Sequence, residues 1–150
     1  MVRQQAVKAM APRCDLVLVI GAITALFMGF LGMGTQNRGL MNGFIHSDQV
    51  QIVAVCDVYQ KRVTVAKERF KCMGTLDYRE ILNNKDVDAV VVATPDHWHA
   101  PIAIAAAKAG KDIYCEKPLS LTIRDGQAMV AAVNRYGRVF QCGSQRRSDA

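Results

Sequence analysis

The feature that most constrains this chain is an alternation that begins at Leu26, in which short apolar runs rich in β-branched residues are separated by stretches with helical character. The runs Leu26–Leu31, Gln51–Cys56, Ala89–Ala93, Asp112–Cys115 and Val139–Cys142 read as strands, with a weaker one at Cys72–Thr75. Several are continuously apolar, as strands covered on both faces must be. Between them, Arg38–Ser47, Gln60–Phe70, Asp77–Asn83, His97–Ala109 and Ile123–Tyr136 suit helices. Asp77 with Glu80, and Thr122 with Asp125, have the spacing of a helix-starting capping box, while Gly110 and Gly137 stand where helices should stop. Strand and helix in strict alternation predict an α/β fold with a doubly wound parallel sheet. Right-handed crossovers then bring every strand C-terminus to one edge, which is where ligands bind in such sheets.

The 150 residues suffice for one domain of ordinary size. The organisation expected is a leader over residues 1–24 and a ligand-binding domain over 25–150, with no second domain to follow. Arg3, Lys8 and Arg13 precede a run from Leu16 to Gly34 in which Thr24 alone is polar. If Leu26–Leu31 is a strand, the apolar residues left before it are too few to span a bilayer, which takes about 20, but they suit a signal h-region of about 7 to 15. Export or anchoring through residues 1–24 therefore stays open beside a cytoplasmic location. The net charge of +6 gathers at the ends, +2 over residues 1–24 and +3 over 135–150, leaving +1 for the middle. Nucleic-acid binding is not expected, because no basic face with stacking aromatics emerges. The five cysteines, Cys14, Cys56, Cys72, Cys115 and Cys142, show no C-x-x-C pair. Cys56, Cys115 and Cys142 close apolar runs, where a small buried hydrophobe packs well.

After the first strand comes Gly32-Met33-Gly34-Thr35-Gln36-Asn37-Arg38-Gly39, a G-x-G turn running into a helix. Gly32 allows the tight turn, Gly34 lets the main chain approach a pyrophosphate, and the helix start over Thr35 to Arg38 offers unpaired N–H donors. Asn37 occupies the third glycine position of G-x-G-x-x-G, which loosens the helix–strand approach or passes that task to Gly39. The second strand ends at Asp57, 25 residues beyond Gly32, where usual spacing is about 20. Asp57 can accept both hydroxyls of an adenosine ribose, which favours NAD; Lys61 and Arg62 nearby keep NADP open.

The fourth strand leads into Ala93-Thr94-Pro95-Asp96-His97-Trp98-His99, with Asp96 placed to cap the next helix. The H-x-H pattern lacks a third ligand, so no metal is expected. Trp98 reads equally as a ligand-side aromatic or as cover for the sheet edge. The fifth strand ends in Glu116-Lys117-Pro118. A lysine held before a proline at this edge can polarise a carbonyl or alkoxide oxygen, with Glu116 orienting it by charge.

Together the G-x-G turn, Asp57, the Ala93–His99 loop and the stretch Ala109-Gly110-Lys111-Asp112-Ile113-Tyr114-Cys115-Glu116-Lys117-Pro118-Leu119-Ser120 resemble the Gfo/Idh/MocA family. The resemblance implies a dinucleotide-binding Rossmann domain with Lys117 as the catalytic residue. It also implies Pro95 and His99 as part of a fourth-strand cofactor loop, beside Thr94, in which Asp96 replaces a frequent Asn. The Asp-His-Trp-His form and the closing Gly143-Ser144-Gln145-Arg146-Arg147-Ser148 look like a branch rich in exported bacterial proteins. The full cofactor set expected is Gly32, Gly34, Thr35, Asn37, Arg38, Asp57, Thr94, Pro95, His99, Glu116 and Lys117. Family enzymes continue into a substrate-binding α/β domain, so this chain is expected to be a fragment whose sugar or polyol substrate and homo-oligomer interface require a C-terminal domain. Three functions follow from the resemblance: an oxidoreductase moving hydride between nicotinamide and a sugar, polyol or related alcohol, a non-catalytic dinucleotide module, and a glycosidase using NAD as an internal shuttle.

Overall fold

A computed structural model describes residues 25–144. The expected leader over 1–24 and the closing Gln145, Arg146, Arg147 and Ser148 lie outside the described residues. Six strands, β1 (Leu26–Leu31), β2 (Val50–Cys56), β3 (Met73–Thr75), β4 (Ala89–Val92), β5 (Asp112–Glu116) and β6 (Phe140–Gly143), form one sheet in the order β3-β2-β1-β4-β5-β6. All neighbours pair in parallel. The connecting helices are α1 (Thr35–Phe44), α2 (Gln60–Phe70), α3 (Tyr78–Asn83), α4 (His99–Lys108) and α5 (Ile123–Tyr136). The first strand lies in the middle of the sheet and the later ones wind outward in both directions, which is the doubly wound arrangement anticipated from the alternation.

The continuously apolar strands split their side chains between two cores. Met28 and Phe30 of β1 and Ala89 and Val91 of β4 pack with Met33, Met41, Val55 and Ala66 on one face. Leu31, Val90 and Val92 pack with Ile81, Ala103, Ala106, Ile113 and Met129 on the other. This period-two division explains why no polar face is legible in these strands: both faces are covered by helices. Gly29 belongs to the second face, where a Cβ would lie 2.6 Å from the Ile81 Cγ2, so its lack of a side chain lets α3 reach the sheet.

Boundaries differ from the sequence expectation where tertiary contacts intervene. The first helix begins at Thr35 instead of Arg38 and ends at Phe44 instead of Ser47. Gly34 takes an extended N-cap geometry, and Asn37 turns its side chain inward with no exposure, so helix geometry starts directly after the glycine turn. The expected helix from His97 divides into a 3-10 turn over Asp96–Trp98 followed by α4. Asp96 makes no side-chain cap there; its main-chain carbonyl accepts the His99 N–H instead. Pro101 is accommodated because it falls in the first turn of α4, where an N–H has no intrahelical partner to lose. The other cap residues behave as anticipated in position. Asp77 accepts the Arg79 N–H and Thr122 the Asp125 N–H, while Gly110 (φ 78°) and Gly137 (φ 58°) end their helices in left-handed conformations.

The ends of the strands remote from the motifs are fastened by Lys111, which is 5% exposed. Its ammonium donates to the carbonyls of Asn84 at 2.6 Å and Val87 at 2.7 Å. It thereby ties the start of β5 to the loop before β4. Replacement by Met keeps the aliphatic stem but leaves both buried carbonyls short of a donor. We predict that Lys111→Met lowers the urea midpoint by the equivalent of about 1 to 3 kcal/mol while leaving the far edge of the sheet intact. An unchanged midpoint would show that this fastening contributes nothing.

Candidate functional site

The C-terminal ends of β1, β2, β4 and β5 converge on one edge, and each delivers one of the motifs. After β1, Gly32 has φ 86°, and a Cβ there would stand 2.6 Å from the Ala93 carbonyl oxygen, so the turn passes directly over the end of β4. Only glycine fits both requirements. Gly34 differs: its φ is −72° and nothing lies within 4 Å of its would-be Cβ. Its missing side chain leaves open space in front of the helix start, the cradle a pyrophosphate requires. The Arg38 N–H is already spent on the Gly34 carbonyl at 3.2 Å, so the unpaired donors are those before it, at Thr35, Gln36 and Asn37.

Asn37 neither loosens the turn nor delegates its role to Gly39, whose surroundings are open. Its side-chain amide donates to the Gly32 carbonyl at 2.7 Å and the Leu31 carbonyl at 3.3 Å, clamping the glycine turn from within. Among the described residues, the Asn37 Oδ1 is buried with no hydrogen-bond partner, as is the Thr94 Oγ1 across the same edge. The buried amide oxygen calls for a donor and the hydroxyl for a partner of either kind. Together with the open space at Gly34, they fit a polar ligand at this edge.

Asp57 is 6% exposed and faces the turn. Its Oδ2 accepts the Met33 N–H at 2.7 Å, and its Oδ1 accepts the Tyr59 N–H at 2.8 Å. Arg62 reaches Oδ2 at 3.4 Å while lying over the Tyr59 ring at 5.8 Å. A carboxylate has about four lone-pair positions, and three are taken here. Asp57 therefore accepts one further donor as it stands and takes both ribose hydroxyls only if Arg62 swings out, which its half-exposed side chain permits. Burial, with the Asp57 charge second, pushes the neighbouring Cys56 thiol up to about 12, so that sulfur stays a packing group. Cys115 is likewise pushed up to about 12, chiefly by burial. Cys142 is only half-buried, because β6 is an edge strand.

Between β4 and β5 lies a cavity of about 170 Å³ lined by Gln36, Ala93, Thr94, Asp96, His99, Glu116 and Lys117. A larger hollow of about 390 Å³ near Val50 and Met73 contains none of the motif residues. Glu116 is 2% exposed; it accepts the Gln36 side-chain amide at 3.0 Å and the Lys117 main-chain N–H at 3.3 Å. Gly143 leaves room for it, since a Cβ there would lie 2.8 Å from the Glu116 carboxyl carbon. The Lys117 side chain is exposed at the rim. His99 is buried, with both ring nitrogens against carbonyl oxygens, so neither is left for a metal. Pro95 is exposed between the lining residues Thr94 and Asp96 and does not itself line the cavity. Sequence reasoning missed Gln36, which lines this cavity.

Residues 26–144 match the model of an oxidoreductase family with an NAD-binding Rossmann fold, GFO_IDH_MocA. The chain belongs to the Gfo/Idh/MocA family. Among its relatives is a "Glycosyl hydrolase family 109 protein 1" from Shewanella sp. (strain ANA-3), 33% identical over 135 residues, covering 83% of this chain and 28% of the relative. An inositol 2-dehydrogenase from Salmonella paratyphi B is 37% identical over 103 residues, covering 67% and 31%. The crystal structure of a probable dehydrogenase from Thermotoga maritima superposes with a TM-score of 0.79 at 30% identity over 83% of this chain and 37% of that one. The WlbA dehydrogenase from Bordetella pertussis, solved with NADH and UDP-GlcNAcA, gives 0.81 at 26% identity over 85% and 39%. The chain thus spans about three tenths of the length of the curated relatives it matches. It is an NAD-binding Rossmann domain, as the sequence resemblance implied.

Two substitutions separate the roles of the glycines. Gly32→Ala meets the Ala93 carbonyl and is predicted to destabilise the fold by about 1 to 3 kcal/mol. Gly34→Val, at an ordinary φ with open space, is predicted to leave thermal stability nearly unchanged and to weaken NADH binding at least tenfold. Calorimetry and fluorescence titration on both variants check the pair, and equal stability losses would contradict it.

Proposed function

We propose that this chain is the cofactor-binding part, over residues 25–150, of an oxidoreductase that moves hydride between nicotinamide and a carbon of a sugar, polyol or related alcohol. The observation that carries the reading is the shared cavity of Gln36, Thr94, His99, Glu116 and Lys117 beside the glycine turn. Gly34 and the first turn of α1 would hold the pyrophosphate, Asp57 the adenosine ribose, and Thr94 and Pro95 the region next to the nicotinamide. The bound dinucleotide supplies the hydride donor and acceptor carbon.

The chain's own residues have three tasks. The Lys117 ammonium projects at the rim, where it can donate a hydrogen bond to the substrate oxygen and stabilise negative charge as it develops there. Glu116 anchors the main chain of that lysine through its N–H. Asn37 and Asp57 hold the glycine turn in the shape the pyrophosphate needs. Substrate selection and homo-oligomer contacts belong, in this reading, to a C-terminal domain of the kind that completes the longer relatives.

The glycosyl hydrolase relatives are the observation behind a second reading of the same site, a glycosidase in which the bound cofactor would serve as an internal redox shuttle. Accumulating NADH absorbance with a polyol marks the dehydrogenase, and sugar release without net absorbance marks the glycosidase.

The direct test excites Trp98, the single tryptophan, which is 43% exposed on the 3-10 turn flanking the cavity. We predict energy transfer to bound NADH, retained within about twofold in Lys117→Met because the lysine acts on substrate and not on cofactor affinity. Arg62→Ala is predicted to weaken NADPH while sparing NADH, since its guanidinium is the group able to meet a 2′-phosphate. Absence of transfer in a folded chain would overturn the cofactor site, and equal loss of both cofactors in Lys117→Met would overturn the role of the lysine.

A further inference from the structure

β4 lies between β1 and β5 in the sheet, so the turn after β1 and the loop after β5 are not neighbours. One side-chain contact nevertheless spans the gap. Gln36, in the first turn of α1, donates its Nε2 amide to the Glu116 Oε1 at 3.0 Å. Only the amide nitrogen of a glutamine side chain donates and a carboxylate only accepts, so the chemistry fixes which end of Gln36 faces Glu116. The other carboxylate oxygen, Oε2, accepts the main-chain N–H of Lys117 at 3.3 Å. Glu116 thereby stands between the helix start and the lysine, with one oxygen turned to each.

Two features give this bridge leverage on the site. The first is the position of Gln36 itself. Its main-chain N–H is one of the unpaired donors at the start of α1, while its side chain lines the cavity shared with Thr94, Glu116 and Lys117. One residue therefore belongs both to the phosphate cradle and to the wall of the lysine cavity. The second is the fixed acceptor end. Glu116 is 2% exposed at the end of β5, and Gly143 backs it so closely that a Cβ there would lie 2.8 Å from the carboxyl carbon. Gln36 is exposed, so its long side chain gives up rotamer freedom to reach this acceptor, and a hydrogen bond to a carboxylate is the kind strong enough to outweigh that loss.

We propose that Gln36 is a positioning residue that holds the Lys117 loop in register with the phosphate-binding helix start. The proposal deepens the proposed function and rests on it for its consequence: the pyrophosphate would fix where the nicotinamide lies, Lys117 would meet the substrate oxygen, and the Gln36–Glu116 bridge sets the separation of the two. Gln36 acts on the lysine through Glu116. The cradle uses only its main-chain N–H, so losing the side-chain amide loosens the lysine loop without removing a phosphate donor.

The test is amide hydrogen exchange followed by NMR on the full 15N-labelled chain. It uses Gln36→Met, which keeps the length and removes the donor, and Gln36→Lys, which restores one. Both changes fall at an exposed position, and the amide of Val91, buried in β4, reports on the fold as a whole. The result expected is Lys117 exchange about tenfold faster in Gln36→Met and within about twofold of wild type in Gln36→Lys, with Val91 unchanged in both. An unchanged Lys117 rate in Gln36→Met overturns the proposal, as does an equal rise at Val91 or a rise that Gln36→Lys fails to reverse. Titration of the same samples with ADP, which carries the pyrophosphate and no nicotinamide, keeps the two readings apart. ADP affinity in Gln36→Met is expected within about twofold of wild type. A larger loss shows that the side chain serves the cradle and overturns the positioning role. A folded wild-type chain that shows the expected exchange pattern and binds no ADP keeps the bridge and removes the proposed function.

Discussion

The carboxylate of Asp57 on the Met33 N–H is the interaction on which the ligand edge depends. It joins the end of β2 to the turn after β1 at 2.7 Å, inside a region nearly closed to water. A charged acceptor on a main-chain N–H is stronger than a neutral pair, and burial strengthens it further. The Gly32 N–H adds a second link, to the Cys56 carbonyl at 2.8 Å. With the Asn37 amide holding the Leu31 and Gly32 carbonyls, the glycine turn is gripped from the strand side and from the helix side. The helix start is therefore held by hydrogen bonds from both sides, and a turn preformed in this way lowers the ordering cost of binding a flexible dinucleotide.

The same edge shows how a Rossmann fold spends irregular backbone. Parallel strands end together, and their main-chain groups would be left unpaired without side chains from other loops. Glu116 is met by Gln36 across 80 residues of sequence, and His99 reaches the Pro118 carbonyl across 19. These long-range polar contacts join the β1 turn, the β4 loop and the β5 loop into one surface. Among the described residues, the Asn37 Oδ1 and the Thr94 Oγ1 on this edge are buried without a hydrogen-bond partner. At the opposite edge Lys111 ties main-chain carbonyls together, and among the described residues none of the motifs lies there.

Much of this was legible from residue order alone. The two-sided apolar strands, the capping residues Asp77 and Thr122 and the stop glycines Gly110 and Gly137 are local signals, and their elements formed within a few residues of expectation. That the G-x-G turn, Asp57 and Lys117 share one edge was legible because each falls directly after a strand, and parallel crossovers collect all such positions there. Helix starts were less legible. Thr35, Gln36 and Asn37 lack apolar periodicity, so nothing local shows that Asn37 turns inward.

The sequence by itself determined the alternation, the winding of the sheet and the edge at which chemistry gathers, because hydrophobic period and crossover handedness operate over short stretches of chain. Only the tertiary structure decided what the polar residues at that edge do. Asn37 became a clamp, Asp57 became a turn anchor with one acceptor position left, Gln36 joined the cavity, and His99 became a bridge between carbonyls. The reason is physical: a buried polar group takes its role from the partner that satisfies it, and here each decisive partner lies on another loop, brought within hydrogen-bonding distance only when the sheet closes.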